Sequence, residues 1–195
     1  VIVAVLARAG ADAVRSSAMI WLSNSTLARL RDQLRQRGRR PSLTAPDPGM
    51  SADALEQMNV SAEYAPLCEA MYLMMSADGR VGKDEREVLK GALRNLSGDS
   101  IRTAHVDAML DQAGKNVADQ GRAARLKEVA AQLKGDPARA EIAFVLAAAI
   151  AFADDAIADE ENETLNELAE GLGIDESHAT RLLDDVESDL AGQRG

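Results

Sequence analysis

Along most of the chain, hydrophobic positions recur every three to four residues, the period of amphipathic helices. Leu67, Met71, Met74 and Met75 fall on one face of a helix predicted from Ser61 to Asp78-Gly79, with Pro66 in its first turns, where proline is tolerated. A second helix, from near Lys83, carries Val88, Leu89, Ala92, Leu93 and Leu96 and stops at Ser97-Gly98. Asp99 is the expected cap of a third, with Val106, Met109 and Leu110. Gly121 interrupts the pattern before a fourth segment with Leu126, Val129, Ala130 and Leu133. Asp136-Pro137, a cap followed by proline at the first helical position, launches an apolar helix through Ala153. Further helices are predicted from about Asp159 to Leu172 and, after Gly173-Ile174-Asp175, around Leu182, Leu183, Val186 and Leu190.

Part of this pattern is written twice. ADGRVGKDEREVL, from Ala77 to Leu89, aligns without a gap on ADDAIADEENETL, from Ala153 to Leu165. Asp78 then matches Asp154, Val81 matches Ile157, Glu85 matches Glu161, Glu87 matches Glu163 and Leu89 matches Leu165. At the same offset Leu96 matches Leu172 and Asp99 matches Asp175. The expected architecture is an all-α bundle of about seven to eight helices, built from two pseudo-symmetric helix–acidic turn–helix–helix repeats. The run Ala147 to Ala153 is apolar all round, as in a centrally buried helix whose small side chains allow close approach.

Residues 1–49 differ from the rest. They hold eight Arg against three Asp, a net of +5, and contain RRPSLTAPDPG with three of the five prolines. This segment reads as a basic N-terminal appendage and Pro-rich linker, with residues 50–195 as the helical domain. Within it, Ser25 or Thr26 could cap an Arg-rich helix bearing Leu27, Leu30 and Leu34 and ending near Gly38. Residues 50–195 hold 14 basic against 29 acidic side chains, a net of −15. Such a body repels nucleic-acid phosphates and attracts cations or basic partners. The longest apolar run, Ile142 to Ala153, has 12 residues, below the roughly 20 that cross a bilayer. A single cysteine, Cys68, excludes an internal disulfide and a thiolate zinc cluster, and two histidines, His105 and His178, leave little for imidazole chemistry. No Gly-rich phosphate loop, Ser-His-Asp set or HExxH motif is present, so no enzyme is expected.

Two readings of the acidic turns stand open. Glu85 and Glu161 fall in first turns of helices, where a carboxylate complements the dipole and bonds a free N–H, and need no ligand there. Asp78, Asp154 and Asp155 instead follow the C-terminal ends of apolar helices, where a negative charge loses roughly 0.3–1 kcal/mol. A cation held by the Asp and the Glu seven residues on would reverse that loss. Oxygen-only ligands of this kind suit Ca²⁺, Mg²⁺ or Mn²⁺. The loop is not an EF-hand: positions 3 and 5 from Asp78 are Arg80 and Gly82, and from Asp154 they are Ala156 and Ala158.

An apolar helix ending in ADGRVGKDE, a second copy FADDAIADEE and the tail LAEGLGIDE together resemble the TerB-like family of tellurite-resistance proteins, over roughly residues 61–190. The resemblance implies an all-helical fold with an internal pseudo-repeat. It also implies a divalent-cation site at the repeated acidic positions, here Asp78, Glu85, Asp154 and Glu161. The sequence departs at the residue after the second Asp, where glycine is replaced by Asp155. By the same resemblance the chain is a non-enzymatic stress-response module in the cytoplasm, working with a membrane-embedded partner of the same resistance system at the inner face of the membrane. The alternative is a co-chaperone-like protein–protein adaptor whose carboxylates need no ion.

Overall fold

Two apolar helices run through the centre of the molecule, and the remaining helices are arranged around them. In the computed structural model, residues 22–36, 49–79, 81–152 and 159–194 are described, and among them every regular element is an α-helix. In chain order these are α1 (Asn24–Gln36), α2 (Ala52–Met75), α3 (Lys83–Ser97), α4 (Thr103–Gln120), α5 (Arg122–Lys134), α6 (Pro137–Ala151), α7 (Asp159–Leu172) and α8 (Glu176–Arg194). The central pair, α2 and α6, pack on one another. Leu67, Met71, Leu73 and Met74 of α2 meet Ile142, Phe144, Leu146 and four alanines of α6 in one fully buried core. The small side chains of Ala147, Ala148, Ala149 and Ala151 let neighbouring helices approach on all sides of α6.

Around this pair, α3 and α4 pack on α2, while α7 and α8 pack on α6. Two further helices complete the bundle: α1 lies on α3 and α6, and α5 lies chiefly on α7 and α2 and also touches α6 and α4. Helix α3 also packs along α4, a contact without an equal between α7 and α8. No described helix is long and apolar enough to cross a membrane.

Several expected boundaries shift, each for a local reason. Helix α2 starts at Ala52, capped by the Ser51 hydroxyl accepting from the Ala54 N–H at 3.1 Å, so Pro66 lies deep inside the helix and not in its first turns. An interior proline removes one backbone hydrogen bond and costs roughly 3 kcal/mol. Packing of both α2 faces on α4, α5 and α6 outweighs that penalty. Asp99 does not cap a helix. It follows Gly98 in the left-handed conformation, at φ 58° after φ 62°, and its N–H closes α3 by donating to Arg94 O at 2.8 Å. The chain then spends Ser100–Arg102 burying Ile101 before α4 begins. Helix α6 ends at Ala151 and not at Ala153, which lies outside the described residues.

Residues 22–36, expected within the basic appendage, contribute to the core. Leu22, Leu27, Leu30 and Leu34 are between 1% and 4% exposed. The cap of α1 is Ser23, neither Ser25 nor Thr26: its hydroxyl accepts from the Thr26 N–H at 3.2 Å and donates to Asp189 of α8 at 2.6 Å. The Ser23 N–H and the Thr26 hydroxyl donate to the same carboxylate, each at 2.8 Å. At the other end, a Cβ built on Gly98 would sit 2.9 Å from Arg35 Nη2 and 3.2 Å from Arg31 Cδ. Two arginines of α1 therefore lie over the C-terminal end of α3, where cations complement the helix dipole.

Candidate metal site at the acidic turns

The first acidic turn is built by α2 ending and α3 beginning within a few residues. Ser76 and Ala77 donate their N–H groups back to Tyr72 O at 2.9 Å and Met74 O at 3.0 Å, and Gly79 donates to Ser76 O at 2.9 Å. Gly79 has φ 89°, a conformation open to glycine at little cost. Its counterpart in the second copy is Asp155, outside the described residues. Asp78 is exposed at the tip of this turn, two residues past the C-cap Ser76. Val81, the branched aliphatic of the motif, packs against the core and anchors the loop.

Glu85 occupies the third position of α3 and accepts the Gly82 N–H at 2.5 Å. With glycine at the cap, only this half of a capping box can form. One oxygen of Glu85 therefore serves the helix start, as the ligand-free reading expects. Glu87 pairs with Lys90 at 2.6 Å, and Lys90 also reaches Asp107 at 2.9 Å. Hydrogen bonds donated to Glu87 first, then to Asp107, hold the pKa of the Lys90 ammonium above its ordinary value.

In the second copy, Asp154 lies outside the described residues, and Glu161 sits half-buried in the first turn of α7 beside Asp159 and Glu160. The repeated leucines agree in burial: Leu89 and Leu165 are fully buried, as are Leu96 and, nearly so, Leu172. Val88 is matched by Thr164, whose hydroxyl accepts from Arg122 Nη1 at 2.5 Å and donates to Glu160 O at 2.6 Å. Among the described residues no three His, Cys, Asp or Glu side chains form a metal-holding group, so Asp78, Glu85 and Glu161 are not gathered at one point. The donor set fits a hard cation in kind, since it offers carboxylate oxygens only. It fits one in number only where water completes the coordination, as Mg²⁺ in particular requires.

The other titratable candidates are placed elsewhere. Burial pushes the Cys68 thiol up to about 12, the neighbouring Glu69 charge adding to this and Arg86 opposing it, so the group is an inert core thiol. His178 lies 3.3 Å from Glu141 on the surface. Sequence reasoning missed a buried ion pair. Arg125 of α5 donates from Nε and Nη2 to Glu69 of α2 at 2.7 and 2.8 Å, and Asn116 of α4 donates to the same carboxylate at 3.2 and 3.3 Å. A lone Glu inside the apolar run from Leu67 to Met75 was the available signal; its partner on another helix was not.

Compared with known families, residues 66–184 match the model of tellurite resistance protein TerB. The chain belongs to the TerB family. No match was found among curated proteins or among solved structures. The TerB match spans α3 to α7 whole, together with the end of α2 and the start of α8. It includes both acidic turns and leaves out α1 and the N-terminal half of α2.

Proposed function

We propose that this chain is a non-enzymatic, acidic TerB module that binds a divalent cation at its two acidic turns. The observation that carries this reading is the position of Asp78: an exposed carboxylate just past the C-terminal end of α2, where the helix dipole makes a negative charge unfavourable. Asparagine would make the same turn without the charge. A cation beside Asp78 and Glu85, and beside Asp154 and Glu161, would turn that cost into a gain, with water completing the shell. In the same reading the chain is two units, α1 to α4 and α5 to α8, each with its own acidic turn. The packing of α1 on α3 and of α5 on α7 supports that division. The −15 body then suits a basic surface on the membrane-embedded partner that the family resemblance implies.

Thermal melting of the wild type and of the Asp78→Asn/Asp154→Asn double variant, in EDTA and in millimolar Ca²⁺, Mg²⁺ or Mn²⁺, tests this. In EDTA the variant should melt within about 0.5 kcal/mol of the wild type. With metal, the wild type should gain RT ln(1 + [L]/Kd), about 2.7 kcal/mol at a hundredfold excess over Kd, and the variant should lose most of that gain. Equal metal shifts in the two proteins would sink the proposal.

A further inference from the structure

A groove of about 590 Å³ runs between the first half of α2 and the start of α4. It is separate from the cation site: ten residues of α2, about 15 Å of helix axis, lie between its last wall residue, Ala65, and the helix end at Met75. Its α2 wall, Asp53 to Ala65, also precedes the first residue matched by the TerB model. Ala54, Met58 and Ala62 face Met109 across it, and Met50, the one exposed large hydrophobic among the described residues, stands just before the α2 cap.

The polar atoms in its walls set the chemistry of an occupant. Four buried side-chain polar atoms among the described residues have no hydrogen-bond partner, and three of them belong to this groove: Gln57 Oε1, Ser61 Oγ and His105 Nδ1. A buried polar group left unpaired is destabilising, so each of these atoms favours an occupant that supplies its partner. Gln57 donates its amide to Ser100 O at 3.4 Å, which fixes Oε1 as an acceptor that needs a donor from outside. At the rim, Arg102 Nη2 holds both oxygens of Asp53, at 2.7 and 2.8 Å, in a solvent-exposed pair. Exposed pairs of this kind hold only weakly, so Asp53 can exchange Arg102 for another cation. Met58 and Met109 are unbranched and rotate at low cost, so the apolar walls can adjust to an occupant.

We propose that this groove docks a segment of a partner protein in which a lysine or arginine stands between aliphatic residues. The aliphatic side chains and the basic stem pack on the alanine and methionine walls, while N–H donors meet Gln57 Oε1 and Asp53. The −15 charge of the surrounding body favours that cation and disfavours an acidic segment. The proposal does not depend on cation binding at the turns.

The test is methionine-methyl NMR on the full chain, titrated with acetyl-Ala-Leu-Lys-Leu-Ala-amide and with the same peptide carrying Glu for Lys. The Met58 and Met109 signals should shift saturably with the Lys peptide, and the Glu peptide should bind at least about tenfold more weakly. Met71 and Met74, fully buried in the core, should stay in place and report that the fold is intact. Ala62→Trp, at an exposed position, should fill the groove and abolish the shifts. Gln57→Met keeps the apolar walls, removes the acceptor, and should weaken binding several-fold. Absence of saturable shifts, equal affinity for the two peptides, or shifts that persist in Ala62→Trp would overturn the proposal. So would shifts of the same signals on dilution without peptide, which would assign the groove to a second copy of the chain.

Discussion

Leu27→Ala asks whether α1 is part of the fold or an attachment to it. Leu27 is 1% exposed and belongs to the same core as the central helices. Truncating a fully buried leucine removes its transfer free energy and leaves a cavity, a loss of about 2–5 kcal/mol. For a protein of this size each kcal/mol lowers the midpoint by roughly 2–4 °C, so Tm should fall by roughly 4–20 °C. The loss has a ceiling, because once it equals the docking free energy of α1 the helix leaves and further truncation changes nothing. Adding Leu34→Ala should therefore cost less than the sum of the single changes, and deleting residues 1–49 should define the limit. Gln33→Ala, at an exposed position on the same helix, should stay within about 0.5 kcal/mol. The assay is urea and thermal unfolding followed by helical circular dichroism. A Leu27→Ala protein that melts with the wild type, or a deletion that leaves the transition unmoved, would show that 1–49 is separable, as its composition suggests.

Further outcomes follow from other contacts. Glu69→Ala should cost about 3 kcal/mol by taking the buried partner from Arg125, which keeps the half-exposed Glu128 carboxylate at 2.6 Å, whereas Glu69→Leu with Arg125→Met should recover much of that in a denaturant titration. Gly171→Ala should destabilise despite the better helix propensity of alanine, because its Cβ would lie 2.7 Å from Ala130 Cβ between α7 and α5. Gly91→Ala, with open space around it on α3, should instead stabilise by about 0.8–1 kcal/mol, and melting the two variants side by side checks the contrast. Burial alone would raise the Asp189 carboxyl, but the Ser23 hydroxyl and N–H, the Thr26 hydroxyl and the Arg29 charge hold it below its ordinary 3.8. Its contribution is present above that value and is lost as pH falls through the lowered one. The stability gap between wild type and Asp189→Asn should therefore shrink from about pH 7 to about pH 3, and a constant gap would refute the α1–α8 link.

The helices and most of their limits are determined by local chemistry, and so they could be read along the chain. The 3.6-residue spacing of Leu89, Leu93 and Leu96 places one face of α3 inside, Gly98 ends it, and Asp136-Pro137 starts α6, because these effects act within one turn of helix. The acidic turns were equally visible as a pattern, and so was the family. What depended on contacts between distant residues could not be read this way. The sequence placed Pro66 near a helix start because its local cost is real; only packing on three neighbouring helices shows that the cost is overridden. The arginines and prolines of residues 1–49 suggested a loose basic arm, yet Arg31 and Arg35 lie over the end of α3 and Ser23 meets Asp189 from far along the chain. Gln57, Ser61 and His105 carry no motif, and they share one groove only because α2 and α4 pack side by side. A sequence by itself determines which residues prefer helix and where a turn must break it. Which helix buries which face, and which polar atoms are left without a partner, is decided only when distant segments come together, since those energies belong to pairs of residues and not to any one position.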